Sequence, residues 1–514
     1  MCLGLFLSTV ETSITATALV SIGHYFNNSI MTTWVVLGYL LSYMGFSVIV
    51  ARLSDVISRK SAAILCWVLF AGFSLASGLA QSLRQLIAFR TIQGIGGSGL
   101  FSLPLIILPE LAPKRLWGLM SSFMGVSLAC SYIVGPVLGG LIVQRTSWRW
   151  IYLFNAPIAV MAVAVLAVAW PTHSKEQTRK RDPIFAQIDI PGALLLLVAS
   201  VLLVFALQEA GALRFNWNSS IIITALSISG ISWVAFIAWI SWLSFKTKLH
   251  AKPIFPILAV LRRPTGPALL ITFLTGFPFF VVIINLPLRF QIVNGDNPIM
   301  AGVHLIPMLG ISAFGSTIGG ILSSRKNLTS YSVIIGSCFV LLGSGLLSTV
   351  SHSASISPSQ YVYQLIFGFG TGISFSSSVL MTTLSNTPDK IGEKNFNVQH
   401  SCNGALGQAR VLGGTIGLAI ATIIFNHNIA ADLSGTLSPK QLLQLQQSIT
   451  TIFDLDPSQQ VKVAVVFANS FNIQMRNCMY LSAAALVVAL FTWQRNPASI
   501  ADSRSQLDIA GETR

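Results

Sequence analysis

Long apolar runs separated by short polar interruptions dominate this chain, and fourteen of them reach the ~20 residues that a helix needs to cross a hydrocarbon core. They lie near 1–22, 34–54, 61–80, 85–108, 118–142, 151–170, 190–209, 219–245, 268–290, 302–322, 332–350, 361–383, 404–427 and 477–494. Water is absent from a bilayer core, so each run must satisfy its own backbone hydrogen bonds as a helix. The pattern predicts an all-α integral membrane protein with 14 transmembrane helices. The polar stretch of about 428–476 reads as a long outer loop. The first run opens at Met1 without a basic leader or small-residue cleavage site, which predicts a retained helix rather than a signal peptide and suggests a short gene reading.

Composition agrees: 53% of residues are hydrophobic and only 9% charged, which excludes a soluble globule. The net charge of +15 would suit a nucleic-acid partner, but the basic residues are scattered among loops instead of gathered on one soluble face. With the N-terminus inside, most of them fall on the cytoplasmic side, including Lys114-Arg115, Arg179-Lys180-Arg181, Arg262-Arg263 and Arg325-Lys326. No nucleic-acid role is therefore expected. Cys2, Cys66, Cys130, Cys338 and Cys402 fall in spans or on the inner side and Cys478 near the outer rim, leaving no outer pair for a disulfide. The histidines show no HxxxH or HExxH spacing, so neither a metal nor a cofactor is expected, and no catalytic cluster suggests an enzyme.

The chain repeats itself. Gln85-Leu-Ile opens the fourth span and Gln364-Leu-Ile the twelfth, each followed by a glycine ladder. Ala51-Arg-Leu-Ser-Asp ends the second span, and Gly320-Ile-Leu-Ser-Ser ends the tenth. Two pseudo-symmetric six-helix bundles follow, with two additional helices between them at the seventh and eighth spans. The expected organisation is an N-terminal bundle over 1–170, a basic linker with the additional helices over 171–245, a C-terminal bundle over 246–495 and a cytoplasmic tail over 496–514.

Charged residues inside or between the spans carry the chemistry. Arg90 lies within an apolar run, where a lone cation costs roughly 2.5–3.5 kcal/mol on insertion scales, so it requires a partner or water. Glu11 sits at similar depth in the first span and is the expected partner. Snorkelling of Arg90 to the outer surface is the alternative. Pro136 removes a helix hydrogen bond, while Gly135, Gly139 and Gly140 allow another backbone close; Gly310, Gly315, Gly319 and Gly320 offer a facing helix. Trp148-Arg149-Trp150 reads generically as an interfacial anchor.

Several of these strings also resemble a known family. Leu53, Asp55, Arg59 and Lys60 match the loop pattern Gly-x-Leu-x-Asp-x-x-Gly-Arg-Lys of the major facilitator superfamily, with Ala51 and Ser58 replacing its glycines. Arg90-Thr-Ile-Gln93-Gly94-Ile-Gly96-Gly97 resembles its fourth-helix motif, whose Arg is linked to proton coupling. Ser131-Tyr-Ile-Val-Gly135-Pro136-Val-Leu-Gly139-Gly140 resembles the antiporter signature, with Ser131 in place of the first glycine. Trp148-Arg-Trp, Asn155 and Pro157 resemble the fourteen-helix drug:proton antiporters, and the segments from Glu11 to Ile22 and from Gly94 to Gly99 resemble their fungal branch that exports toxins and other secondary metabolites.

The resemblance implies a monomeric, proton-driven efflux pump working by alternating access on a small amphipathic substrate such as a secondary metabolite, mycotoxin or drug. Glu11 would carry the proton and Arg90 set its affinity. Asp55, Arg59 and Lys60 would form a cytoplasmic gate against the start of the thirteenth helix near Arg410. Gln93, Asn285, His304 and Gln364 are candidates for the cavity. The expected location is the plasma membrane, with a vacuolar or vesicle membrane as the alternative. Asn27 and Asn218 begin sequons expected outside and open to glycosylation, whereas Asn327 begins one expected inside. A siderophore:proton symporter and a non-transporting sensor are the competing readings.

Overall fold

The computed structural model describes residues 1–26, 29–111, 117–170, 189–245, 261, 263–325, 327–353, 355–385, 396–447, 452 and 455–494. Lys114, Arg115, Arg179, Lys180, Arg181, Arg262, Lys326, Asn27 and the tail 496–514 lie outside these residues, as do the side chains of Asp55 and Arg325.

Among the described residues the regular elements are helices: α1 (Cys2–Tyr25), α2 (Ser29–Ile57), α3 (Arg59–Gly78), α4 (Leu83–Leu111), α5 (Trp117–Arg145), α6 (Trp150–Leu153), α7 (Asn155–Ala169), α8 (Ile190–Gly211), α9 (Ser220–Phe245), α10 (Thr265–Ile292), α11 (Pro298–Val303), α12 (Ile306–Arg325), α13 (Thr329–Leu347), α14 (Ser359–Ser385), α15 (Phe396–Leu433), α16 (Pro439–Gln447) and α17 (Pro457–Leu490). Among the described residues thirteen helical stretches meet the length and hydropathy needed to cross a membrane, and α1 lies at the one remaining expected span, the first. The sixth span is α6 with α7, and the tenth is α11 with α12.

The expected outer loop is mostly helix. α15 has 38 residues and α17 has 34, so at 1.5 Å per residue each exceeds 50 Å, well beyond a ~30 Å hydrocarbon core. Their extra turns and α16 bury Phe425, Ile429, Leu433, Leu445, Val463 and Phe467 in a separate apolar cluster. Gln459, Gln460 and Lys462 keep those turns polar, which is why mean hydropathy reads them as loop. Cys478 lies within α17 and is fully buried. All six cysteines are free.

Two helical groups emerge. Within the first, α2 and α3 pack on α4, α1 on α5, and α3 on α7; within the second, α12 and α13 pack on α14, α10 on α15, and α17 on α10 and α13. The groups meet where α5 packs on α12 and α2 on α15. α8 and α9 pair with each other, and α8 also packs on α2 and α15. Trp34 Nε1 donates to Glu209 Oε1 at 3.0 Å and Asn426 Nδ2 to the Gly211 carbonyl at 2.6 Å, tying α8 to both sides of that seam.

Glycines set the register of the internal repeat. A methyl added at Gly94 would stand 2.5 Å from the Tyr39 carbonyl of α2, and one at Gly368 would stand 2.1 Å from the Met308 carbonyl of α12. Gly96 is likewise pressed on Cys66 and Phe70 of α3, and Gly370 on Gly336 and Val340 of α13. Gly94 thus corresponds to Gly368 and Gly96 to Gly370, which pairs Arg90 with Gln364. The Gln-Leu-Ile match in the sequence identifies the right two helices but is five residues out of register.

Two of the α12 glycines do not face α5. Gly315 and Gly319 accommodate α14, while α5 meets the other half through Gly125 against Ser316 and, on α11, Gly140 against Ile299 and Pro136 against Gly302. Gly135 faces α1 instead, where an added methyl would stand 1.9 Å from Ser13 Oγ. Bulkier Ile and Ser side chains fill the α5 interface because only one partner need be small.

Candidate functional site

Arg90 and Glu11 form a completely buried ion pair, with Arg90 Nη1 2.5 Å from Glu11 Oε1. Two features of α4 place the arginine: Gly94 lets it approach α2, and Gly96 lets it approach α3. Arg90 Nε then donates to the Val35 carbonyl at 3.2 Å and Nη1 to Gln93 Oε1 at 2.9 Å. Its guanidinium lies 4.3 Å from the Tyr39 ring centre and 5.3 Å from that of Tyr152. The other carboxylate oxygen of Glu11 accepts from Asn155 Nδ2 at 2.7 Å, and the same amide donates to Ser74 Oγ at 3.0 Å. Ion pairs removed from water are held best when their other donors and acceptors are paired. Here Val35, Gln93 and Asn155 pair part of the cluster, while Arg90 Nη2, Gln93 Nε2 and Asn155 Oδ1 have no hydrogen-bond partner among the described residues.

Asn155 is the residue that sequence reasoning missed as part of the site. Its signal was present: an amide in an apolar span, a few residues after Trp148-Arg149-Trp150. That run is more than an anchor, because Arg149 donates to the Gly78 carbonyl at 2.8 Å and to the Tyr25 hydroxyl at 3.2 Å. It therefore ties the sixth span to α1 and α3 and brings Asn155 to Glu11. Gln93 belongs to the ion-pair cluster rather than to an open cavity.

The other candidates disperse. Asn285 donates to Gln474 Oε1 of α17 at 3.1 Å. His304 contacts the Tyr361 hydroxyl at 2.6 Å through Nδ1 and Asp296 Oδ2 at 3.3 Å through Nε2. Gln364 is fully buried on α14, at the position related to Arg90. The C-terminal half thus carries a neutral amide where the N-terminal half carries a cation. Asn218 is exposed in the turn before α9.

In the charged hairpin, Arg59 Nη1 donates to Ser54 Oγ at 2.5 Å and Lys60 Nζ to the Ala167 carbonyl at 3.0 Å. Ser58, at one glycine position of the family pattern, adopts φ 91°, the region that favours glycine. Ala51, at the other, directs its methyl at Gly404 of α15, only 3.3 Å from where a Cβ there would stand. The described contacts of Arg410 lie away from Lys60 and Ser54 of this hairpin. Arg410 lies six residues further along α15, about 9 Å deeper by helical rise, because α15 begins well before the apolar run that located it in sequence.

Arg410 instead borders two narrow cavities between the halves. One is lined by Thr9, Thr12, Tyr43, Phe101, Tyr132 and Phe280, and the other by Tyr132, Phe279, Ser312, Ser316, Thr371 and Phe375, with Arg410 at both. Tyr39 links the first cavity to the ion pair: it lies against Arg90 and stacks on Tyr43 with ring centres 5.6 Å apart. Its hydroxyl donates to the Ser8 carbonyl at 3.0 Å, fixing the ring to α1. Contacts close both sides of this region, Ala51 against Gly404 on the hairpin side and Pro136 against Gly302 on the other.

This helical architecture, with a buried ion pair beside a cavity between two repeated halves, is that of a membrane transporter, and the chain belongs to the Major Facilitator Superfamily, whose model matches residues 1–418. It is 35% identical to the "MFS-type transporter FPY5" of Fusarium mangiferae over 97% of this chain and 83% of the relative. It is 30% identical to "Efflux pump dotC" of Dothistroma septosporum over 77% of this chain and 67% of the relative. A crystal structure of a double Trp mutant of XylE matches with a TM-score of 0.59 at 14% identity, covering 98% of this chain and 96% of that one, a likeness of fold. Such proteins are transporters and not enzymes.

Proposed function

We propose that the protein exports small amphipathic molecules in exchange for protons by alternating access. The observation that carries this reading is the buried Glu11–Arg90 pair, held one aromatic layer from a cavity shared by the two halves. Glu11 is the proton carrier. Protonating it leaves the Arg90 charge uncompensated in a low-dielectric interior, so the helices around the pair favour a different arrangement. Movement of α1 passes directly to α5 through the Ser13–Gly135 contact, and α5 reaches the other half through α11 and α12. Cargo and proton therefore bias the same elements, which is the requirement for exchange. Efflux is the direction supported by the antiporter-like run through Gly135 and Pro136 and by the efflux-pump names among relatives.

The test uses purified full-length protein in proteoliposomes, with a panel of neutral, anionic and cationic fluorescent amphipaths. An imposed pH gradient drives accumulation of at least one probe by the native protein, and Glu11→Gln reduces that accumulation at least about tenfold by removing the titrating group. Probe-for-probe exchange without a gradient persists in the variant. Undiminished gradient-driven accumulation would refute the proton-carrier role.

A further inference from the structure

We infer that Arg410 is the cargo-recognition residue and that the exported molecule is an organic acid whose carboxylate seats on this guanidinium. This deepens the proposed export function by naming a substrate class. Phe375 and Phe279 cover the guanidinium, with ring centres 4.0 and 4.3 Å from Cζ. Stacking on aromatic rings leaves the N–H donors of a guanidinium as the part available to a ligand. Among the described residues lining the two cavities, Arg410 is the only charged group. The Glu11 carboxylate is engaged elsewhere, by Arg90 and Asn155.

The side chains around these narrow cavities match the chemistry of the rest of such a molecule, and the halves must part to make room for it. Phe101, Phe280, Leu128 and the rings of Tyr43 and Tyr132 provide apolar surface, while Thr9 and Thr12 add hydroxyls from the opposite half. A cationic cargo would meet like-charge repulsion with no acid to offset it. A carboxylate can accept two parallel N–H bonds from the guanidinium edge, a geometry that an ammonium cannot reproduce. Arg410 belongs to α15, and Thr9, Thr12 and Tyr43 belong to α1 and α2, so a bound acid bridges the halves that alternating access must separate.

Thermal stabilisation of the purified full-length protein by matched probes tests the assignment. The probes are 2-naphthoate, anthracene-9-carboxylate and 1-pyrenebutyrate, each beside its uncharged primary amide. At least one acid is expected to bind about tenfold more tightly than its amide, and Arg410→Gln removes that difference. Arg410→Lys keeps the charge but not the fork, and so retains only part of it. Size-exclusion profiles verify that each variant is folded, and retention of amide binding by the Gln variant shows an intact cavity. The binding measurement uses no proton gradient, so a failure of proton coupling leaves this result unaffected. Equal binding of acid and amide, no binding of any acid, or an acid preference that survives in Arg410→Gln overturns the inference.

Discussion

At the scale of single residues, two side chains stand where local chemistry and local geometry disagree. Ser58 occupies a left-handed conformation with φ 91°, although its hydroxyl caps α3 by accepting from Ser61 N at 3.3 Å. Strain of this kind costs ~1–3 kcal/mol, whereas replacing a Ser cap by Gly costs only a few tenths. Ser58→Gly should therefore raise stability by about 1 kcal/mol, read as an increase in the thermal midpoint in detergent; a decrease would show that the cap dominates. Asn155 presents the opposite case. Its amide is a donor to a buried carboxylate, and charged hydrogen bonds are worth about 1.5–3 kcal/mol. Asn155→Leu should lower stability by about that amount and impair gradient-driven exchange, measured together by thermal unfolding and proteoliposome flux.

At the scale of helices, Gly135 joins the proton-carrying helix to the helix that reaches the other half. An added methyl would stand 1.9 Å from Ser13 Oγ and 2.9 Å from Ser13 Cβ, closer than van der Waals contact permits. Gly135→Ala should push α1 away from α5 and reduce exchange severalfold, while leaving the spans inserted. Removing the obstructing side chain provides the control: the double variant Ser13→Gly with Gly135→Ala should recover part of the lost rate, since residues in contact are energetically coupled. Equal impairment of the single and double variants would place the effect elsewhere. The same logic explains the glycine ladder of α4, which positions Arg90 by narrowing two faces of one helix.

At the scale of the whole molecule, the halves must part on one side while closing on the other. Ala51 and Gly404 form one such closure, and their Cβ positions are 3.3 Å apart, near the range that a disulfide spans. With the native cysteines replaced, Ala51→Cys with Gly404→Cys should cross-link on oxidation and stop exchange, and reduction should restore it. Persistent exchange by the cross-linked protein would remove this seam from the gate. Charge balance gives a second expectation. One proton entering for each monoanion leaving moves two charges in the same sense, and each is worth ~2.3 kcal/mol per 100 mV. Export of a naphthoate-class acid should therefore accelerate as the exit-opposed side becomes more negative, as recorded with an imposed potassium diffusion potential.

The sequence by itself determined the fourteen spans, because length and apolarity are local properties and lipid demands internally satisfied backbones. It also made the Glu11–Arg90 contact legible, since isolated opposite charges at similar depth in apolar helices have few other partners. Only the tertiary structure decided the rest. The place of Asn155 beside Glu11 depends on Arg149 clamping α1 and α3, and the correspondence of Arg90 with Gln364 depends on which carbonyls the α4 and α14 glycines meet. Hydropathy read the projecting turns of α15 and α17 as loop because their outward faces are polar. It likewise gave Arg410 no depth: where a side chain stands between two halves is set by helix packing, and packing contacts join residues far apart in the chain.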